Sequence, residues 1–394
     1  MSESAAFFVD RVLPEELVRQ WVLSVPVPLR FWMARTPALM STVLAIMIRV
    51  ISKFYSDRGK ALNCNEGKTG SITLVQRYGG AINLNVHFHT IMIDGVYKEK
   101  DGKLEFHQVK APSDDEIKKI LQKIQKRVNR HLVKLGYLEE KEEGVTHPIA
   151  LFEDGDGVED ICQGASVQYR VALGERAGQR VRKIGSFGEV GENPMRDGPL
   201  CFSVGGFSLH ANVAVKKKAD IETLCRYVAR PPIAESRLYQ ETNGNIIYRF
   251  KKQWNDGTQA VLFSPTEFIE KIVALIPPPR IHLTRFHGVL APNSKLRSKV
   301  VPQATQIEPA SDGPQANEKK PRSKRYRLSW SELLKRVFQV DITVCPDCGG
   351  QMNFIATIMD PKVIRAILES QGISAVAPRF APARAPPQSR LSFD

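Results

Sequence analysis

The sequence predicts an α+β fold, an antiparallel sheet covered by helices, and three observations carry that expectation. Short segments of alternating polarity are separated by glycine turns. Apolar stripes recur at helical spacing between them. The order of these elements runs β-α-β-β-α-β-α. At 394 residues the chain can hold a main domain with a sizeable core and a smaller module.

Gln20-Trp21-Val22-Leu23-Ser24-Val25, closed by Pro26 and Pro28, reads as the first strand. Leu39, Val43, Ile46, Met47 and Val50 share one face of a helix over residues 38–55. Residues 71–78 read as a second strand, and Gly79-Gly80 turns it into a third over residues 82–93, which ends at Asp94-Gly95. Ser113-x-x-Glu116 has the form of a capping box. It opens a helix to about residue 135 with the stripe Ile117, Ile120, Leu121, Ile124, Val128, Leu132 and Leu135. Residues 145–200, rich in glycine and charge, are expected to be an insertion with mobile loops and at most two short strands. Residues 207–215 read as a further strand, followed by a helix over about residues 220–230 that Pro231-Pro232 stops. Residues 1–300 are then the main domain and 301–327 a Pro- and Gln-rich linker. Residues 328–373 form a small C-terminal unit of helices around a cysteine knuckle, and 374–394 a disordered tail.

Composition narrows the function classes. Lys+Arg number 56 against 42 Asp+Glu, a formal charge of +14 and a pI near 9.5, which favours a polyanionic partner. Met1-Ser2-Glu3-Ser4 lacks a basic signal-peptide start. The most apolar run, residues 38–48, is short of a bilayer and is interrupted by Ser41 and Thr42, so no membrane partner is expected. Of 6 cysteines only Cys345 and Cys348 are clustered, which fits a reducing, cytoplasmic setting.

The third strand carries the chemistry. Alternation puts Leu84, Val86, Phe88 and Met92 on one face, and Asn83, Asn85, His87 and His89 on the other. Two adjacent imidazoles on a sheet can grip one divalent metal; the plain alternative is a hydrogen-bonded pair on a half-exposed face. His210, in Ser208-Leu209-His210-Ala211-Asn212, points to the polar face and is a candidate third ligand or a lone structural histidine. Tyr227 lies at the edge of the stripe Ile221, Leu224, Cys225 and Val228, beside Thr223, Arg226 and Arg230. It is a candidate nucleophile with cations at hand, or an ordinary boundary tyrosine. Cys345-Pro346-Asp347-Cys348-Gly349-Gly350 supplies half of a Zn²⁺ ribbon and lacks a second cysteine pair, so zinc there needs a histidine or another subunit.

Three blocks in order resemble one family. They are Gln76-Arg77-Tyr78-Gly79-Gly80-Ala81-Ile82-Asn83-Leu84-Asn85-Val86-His87-Phe88-His89, then Leu224-Cys225-Arg226-Tyr227-Val228-Ala229-Arg230-Pro231-Pro232-Ile233-Ala234, then Leu275-Ile276-Pro277-Pro278-Pro279-Arg280 with Arg285-Phe286-His287-Gly288-Val289-Leu290-Ala291-Pro292. Together they are similar to rolling-circle insertion-sequence transposases of the HUH superfamily, the insertion sequence ninety-one group and related common-region elements. The resemblance implies an HUH-endonuclease-like fold in which His87 and His89 hold Mg²⁺ or Mn²⁺ and Tyr227 attacks a phosphodiester of single-stranded or melted DNA. Arg77, Arg226 and Arg230 are the basic side chains then expected to contact DNA. Two departures stand out. The family's Cys-rich zinc-binding segment is expected to be missing, since no cysteine precedes the first strand. The residue four after Tyr227 is Pro231, so the chain resembles the single-tyrosine branch. The rival readings are a metal phosphodiesterase using water and a DNA-binding remnant without activity. A bacterial, nucleoid-associated location follows from the resemblance, and the oligomeric state stays open.

Overall fold

The computed structural model of the protein describes residues 1–140, 146–148, 157–185, 198–302, 328–345, 347–352, 358–372 and 374–375. Residues 303–327 of the expected linker 301–327, and 376–394 of the expected tail 374–394, lie outside the described residues. In chain order the elements begin with α1 (Ser2–Arg11), β1 (Val18–Ser24), α2 (Val27–Arg35), α3 (Pro37–Ala61), β2 (Gly70–Tyr78) and β3 (Leu84–Ile93). The hairpin β4 (Gly95–Lys100) and β5 (Lys103–Gln108) leads to α4 (Asp114–Lys134), β6 (Leu138–Glu140), β7 (Thr146–Pro148), α5 (Val158–Val167) and β8 (Arg182–Ile184). Next come β9 (Cys201–Val204), β10 (Phe207–His210), β11 (Ala214–Val215), α6 (Lys218–Val228), β12 (Leu238–Gln240), β13 (Ile246–Arg249) and β14 (Ala260–Phe263). The last are α7 (Pro265–Leu275), β15 (Thr284–Gly288), α8 (Arg297–Val300), α9 (Trp330–Phe338) and α10 (Pro361–Ser370).

The chain is α+β, as its sequence predicts: an antiparallel sheet in the order β15-β2-β3-β1-β10-β9, with β11 also on β1, is flanked by helices. The histidine strand β3 is interior, paired to β2 and β1. That position fixes its register, because a slip of one residue would turn every side chain to the wrong face. On one face Trp21, Leu23, Val75 and Phe88 enter the core with the apolar sides of α3 and α4. The same face holds a buried polar cluster. Arg19 forks onto Asp94 at 2.7 to 3.1 Å, and the Tyr55 hydroxyl donates to Asp94 at 2.7 Å while accepting from Trp21 Nε1 at 3.2 Å.

Helices α3, α4 and α6 follow their sequence signals. Both halves of the Ser113/Glu116 capping box form at the start of α4, and Ile117 through Leu132 of its stripe are buried. Helix α3 is long and apolar enough to cross a bilayer by length and composition alone, yet half of that stretch is buried inside the protein. A Cβ on Gly79 would meet Asn83 Oδ1 at 2.3 Å, so a larger residue in the turn between β2 and β3 would displace the Asn83 side chain.

Three features depart from the expectation. Pro26 and Pro28 do not merely end β1; they sit at the N-cap and first turn of α2, where a missing N–H costs nothing. Within the expected mobile insertion, residues 157–185 are tied to the main unit: Ser166 Oγ accepts from the Leu84 N–H, and β8 pairs with β14. A second sheet, β12-β13-β14-β8, takes three strands from the chain after α6, where the sequence suggested nothing regular, and the fourth, β8, from the insertion.

The chain divides into two compact units, Val9–Ala304 and Met1–Phe8 with Thr305–Asp394. In the second, α9 opens on a Ser329/Glu332 capping box and α10 on an Asp360 cap, and the chain between them makes a cysteine turn.

Candidate metal and nucleophile site

Register builds the site. Strands β10, β1 and β3 set His210, Val22 and His89 in one row, with Ser208, Ser24 and His87 in the next. Cross-strand partners share a face, so both histidines of the pair project from the side opposite Trp21 and Phe88. Their Nε2 atoms are 3.1 Å apart and their ring centroids 4.9 Å.

The hydrogen bonds assign the protons. His87 Nδ1 lies 2.8 Å from the Asn85 carbonyl, which only accepts, so Nδ1 carries the hydrogen and Nε2 is bare. His89 Nε2–H then donates to His87 Nε2, and His89 Nδ1 accepts from Gln20 Nε2 at 2.8 Å. Among the described residues, buried Gln20 Oε1 and Asn85 Oδ1 meet no hydrogen-bond partner. Burial, with help from Arg30 and Arg230, drives the His87 imidazole down to about 4. His89 is pushed well below the usual histidine range by burial first, then by His87, Arg230 and His210. Both rings are therefore neutral at neutral pH, the form that binds a metal.

Tyr227 faces this pair. Its ring meets that of His89 edge-on at 6.1 Å between centroids, and the Arg230 guanidinium lies 4.5 Å above the Tyr227 ring. The end of α6 is held there from β2. Helix C-terminal carbonyls have no partner within the helix; Gln76 Nε2 donates to the Val228 carbonyl at 2.6 Å, and the Tyr78 hydroxyl donates to the Arg230 carbonyl. Gln76 is also the cross-strand partner of His87. One strand thus fixes both halves of the site.

The other sequence candidates divide. His210 shares the row, but β1 stands between it and His89, about 10 Å across two strand spacings. Among the described residues no group of three His, Cys, Asp or Glu side chains is placed to hold a metal ion. His210 therefore does not close on the pair. Arg77 is a correction: it is 3% exposed, and its guanidinium donates to the carbonyls of Ala34, Leu275 and Ile276. Arg77 has the parity of Val75, whose partner Phe88 lies in the core, so plain alternation sends it inward, where it locks segments together and cannot reach DNA. Arg226 is half-buried and donates to Thr223 Oγ1 at 3.4 Å, while Arg230 is exposed. In the C-terminal unit, hydrogen bonds from the Cys348 and Asp347 backbone hold the Cys345 thiol below its ordinary range.

Sequence reasoning missed Gln20, Arg30, Gln76 and Tyr78. Parity could have found two of them, since Gln20 shares its face with Val22 and Ser24, the partners of His89 and His87, and Gln76 stands opposite His87.

The chain belongs to a transposase family. Residues 70–298, more than half of its length, match the family model Y2_Tnp, described as "Putative transposase". It is also similar to the transposase for insertion sequence element IS801 of Pseudomonas savastanoi pv. phaseolicola, 26% identical over 180 residues, 44% of this chain and 41% of that protein. The chain thus spans about two fifths of the length of the curated relative it matches. No solved structure matches it.

Proposed function

We propose that the chain nicks and rejoins single-stranded DNA at the ends of an insertion sequence, as a rolling-circle transposase of the HUH superfamily in the insertion sequence ninety-one group. The observation that carries this reading is the pair of neutral imidazoles, Nε2 atoms 3.1 Å apart, faced by a tyrosine whose ring is 6.1 Å from that of His89. The Tyr227 phenol gives up its proton and its oxygen forms a bond to phosphorus. The bond from phosphorus to the 3′ oxygen breaks, leaving a 5′-phosphotyrosyl link and a 3′-hydroxyl. Attack by a 3′-hydroxyl reverses the exchange and rejoins a strand without ATP.

A free phenol ionises at about pH 10, so the nucleophile needs a neighbouring positive charge. Arg230, stacked over the ring, stabilises the phenolate and attracts the phosphate, with Arg226 one turn back. His87 and His89 would hold the divalent cation, Mg²⁺ or Mn²⁺, through their Nε2 atoms, which requires the His89 hydrogen to move from Nε2 to Nδ1 and the Gln20 amide to turn its Oε1 toward that nitrogen. Two ligands at about 2.1 Å from one ion lie about 3.0 to 3.4 Å apart, which the pair matches. When bound, such an ion polarises the scissile phosphate as a Lewis acid. His210 and other donors outside the pair remain candidates for further ligands only if they move. The Cys345/Cys348 turn is offered as half of a Zn²⁺ site completed by a histidine or another subunit. The partner is DNA, not a membrane, and the setting is cytoplasmic and nucleoid-associated.

The test is a denaturing gel of labelled single-stranded DNA from the element ends. A covalent protein–DNA adduct is expected. Nicking that survives in Tyr227→Phe would mean that water attacks, and would overturn this reading in favour of a metal phosphodiesterase.

A further inference from the structure

The second sheet brings cations and aromatic rings to the edge of this site. Strands β12 and β13 pair Leu238 with Tyr248 and Tyr239 with Ile247, so Tyr248, Val261 and Phe263 face the core while Tyr239, Ile247 and Arg249 face outward. Tyr239 is 43% exposed, with the Arg249 guanidinium 4.5 Å over its ring. At the same end Arg237 lies 5.1 Å over Tyr248. Lys251, just past β13, is close enough to Arg230, Lys252 and Arg237 that they depress its pKa, after burial. Arg230 in turn covers Tyr227. The result is a row of positive side chains from the nucleophile to an exposed tyrosine. Like charges gathered this way repel one another in the free protein, and a polyanion relieves that repulsion.

We infer that this end of the second sheet holds the single strand next to the scissile phosphate. Arg237, Lys251 and Lys252 contact its phosphates, and Tyr239 with Arg249 stacks a base. Charge complementarity selects the anion. The stacked pair selects an unpaired strand, because a base must leave the duplex to lie on a tyrosine ring. The inference rests on Tyr227 as the nucleophile, and it assigns a surface that the pair of histidines does not touch.

The experiment uses the full chain and a fluorescent 20-nucleotide oligo(dT). Arg237→Ala with Lys251→Ala should weaken binding about tenfold and reduce the slope of log affinity against log salt by about 1.4, at about 0.7 per phosphate contact on single strands. Tyr239→Ala should weaken binding about tenfold with the salt slope unchanged, and Tyr239→Phe should restore it. The control is Lys123→Ala with Lys126→Ala, two exposed lysines on α4. Wild-type binding in the sheet variants, or an equal loss in the α4 control, overturns the assignment. Adduct formation on element-end DNA reads the other premise. Adduct without any effect of the sheet variants removes the surface and keeps the nucleophile. Binding loss in those variants, with no adduct from wild type, removes the nucleophile and keeps the surface.

Discussion

Strands β1 and β3 show two faces made from alternate residues of the same segments, and the faces treat their polar groups in opposite ways. On the core face Arg19, Asp94, Tyr55 and Trp21 satisfy one another, and Arg19 spends a further N–H on the Ala211 carbonyl at 2.9 Å. On the other face a line of hydrogen bonds runs from Gln20 through His89 and His87 to Asn85, and among the described residues it leaves buried Gln20 Oε1 and Asn85 Oδ1 without partners. The first arrangement is complete, and breaking it exposes an uncompensated charge. The second is incomplete, which is how a protein keeps donors ready for a ligand. Stability and chemistry are thus divided between odd and even positions of one strand.

The sharpest way to break this division is Tyr227→Phe. Adduct formation should disappear while the urea midpoint stays that of the wild type, since the ring and its Arg230 contact remain. A lowered midpoint would show that the hydroxyl is structural. Asp94→Ala attacks the complete face: leaving the Arg19 cation buried and unpaired should cost about 3 to 5 kcal/mol, read by denaturant unfolding. A cost below about 1 kcal/mol would mean that the cluster carries little of the fold.

Acid should act through the incomplete face. In the folded protein His87 titrates at about 4 against an ordinary 6.5. Above pH 6.5 both states are neutral and the group contributes nothing. As pH falls from 6.5 toward 4 the unfolded chain takes up the proton and the folded one does not, so stability drops, by up to about 3 kcal/mol. His287, also held at about 4 by burial, adds a loss of the same sign. Unfolding of chelator-treated protein at several pH values should therefore show a smaller acid loss in His87→Gln than in wild type; equal losses would exclude His87 as a source. The smallest effect is expected from Gln20→Leu. Removing the amide that orients His89 should weaken Mn²⁺ binding about tenfold, with stability changed by less than about 1 kcal/mol. Unchanged metal affinity would show that the His89 ring is oriented by packing alone.

What the sequence disclosed follows from how strongly each signal is local. The alternation that separates His87 and His89 from Phe88 survives because β3 is interior and straight. The stripe of α4 was legible because its capping box and its period agree. Arg77 was misplaced because its parity with Val75, which puts it on the core face, went unread; the carbonyls it meets, from Ala34, Leu275 and Ile276, are brought there by distant segments that no local pattern announces. The second sheet was overlooked because its strands are three or four residues long, too short for alternation to show. Helix α7, by contrast, carried a visible signal in Ser264-Pro265 and Glu267, a capping box with proline in the first turn. Gln20 could be placed on the histidine face, but its bond to Nδ1 depends on the pairing of β1 with β3 across the chain.

The two bonds from Gln76 and Tyr78 to the end of α6 have a mechanical meaning. Under the proposed chemistry the DNA strand is tethered to Tyr227, so any tension on that strand passes into the helix end. From there the load enters β2, which is zipped on both sides to β3 and β15. Force is then shared as shear over many ladder bonds instead of peeling one helix away. The cut end can stay in register with the imidazole pair while the DNA is pulled.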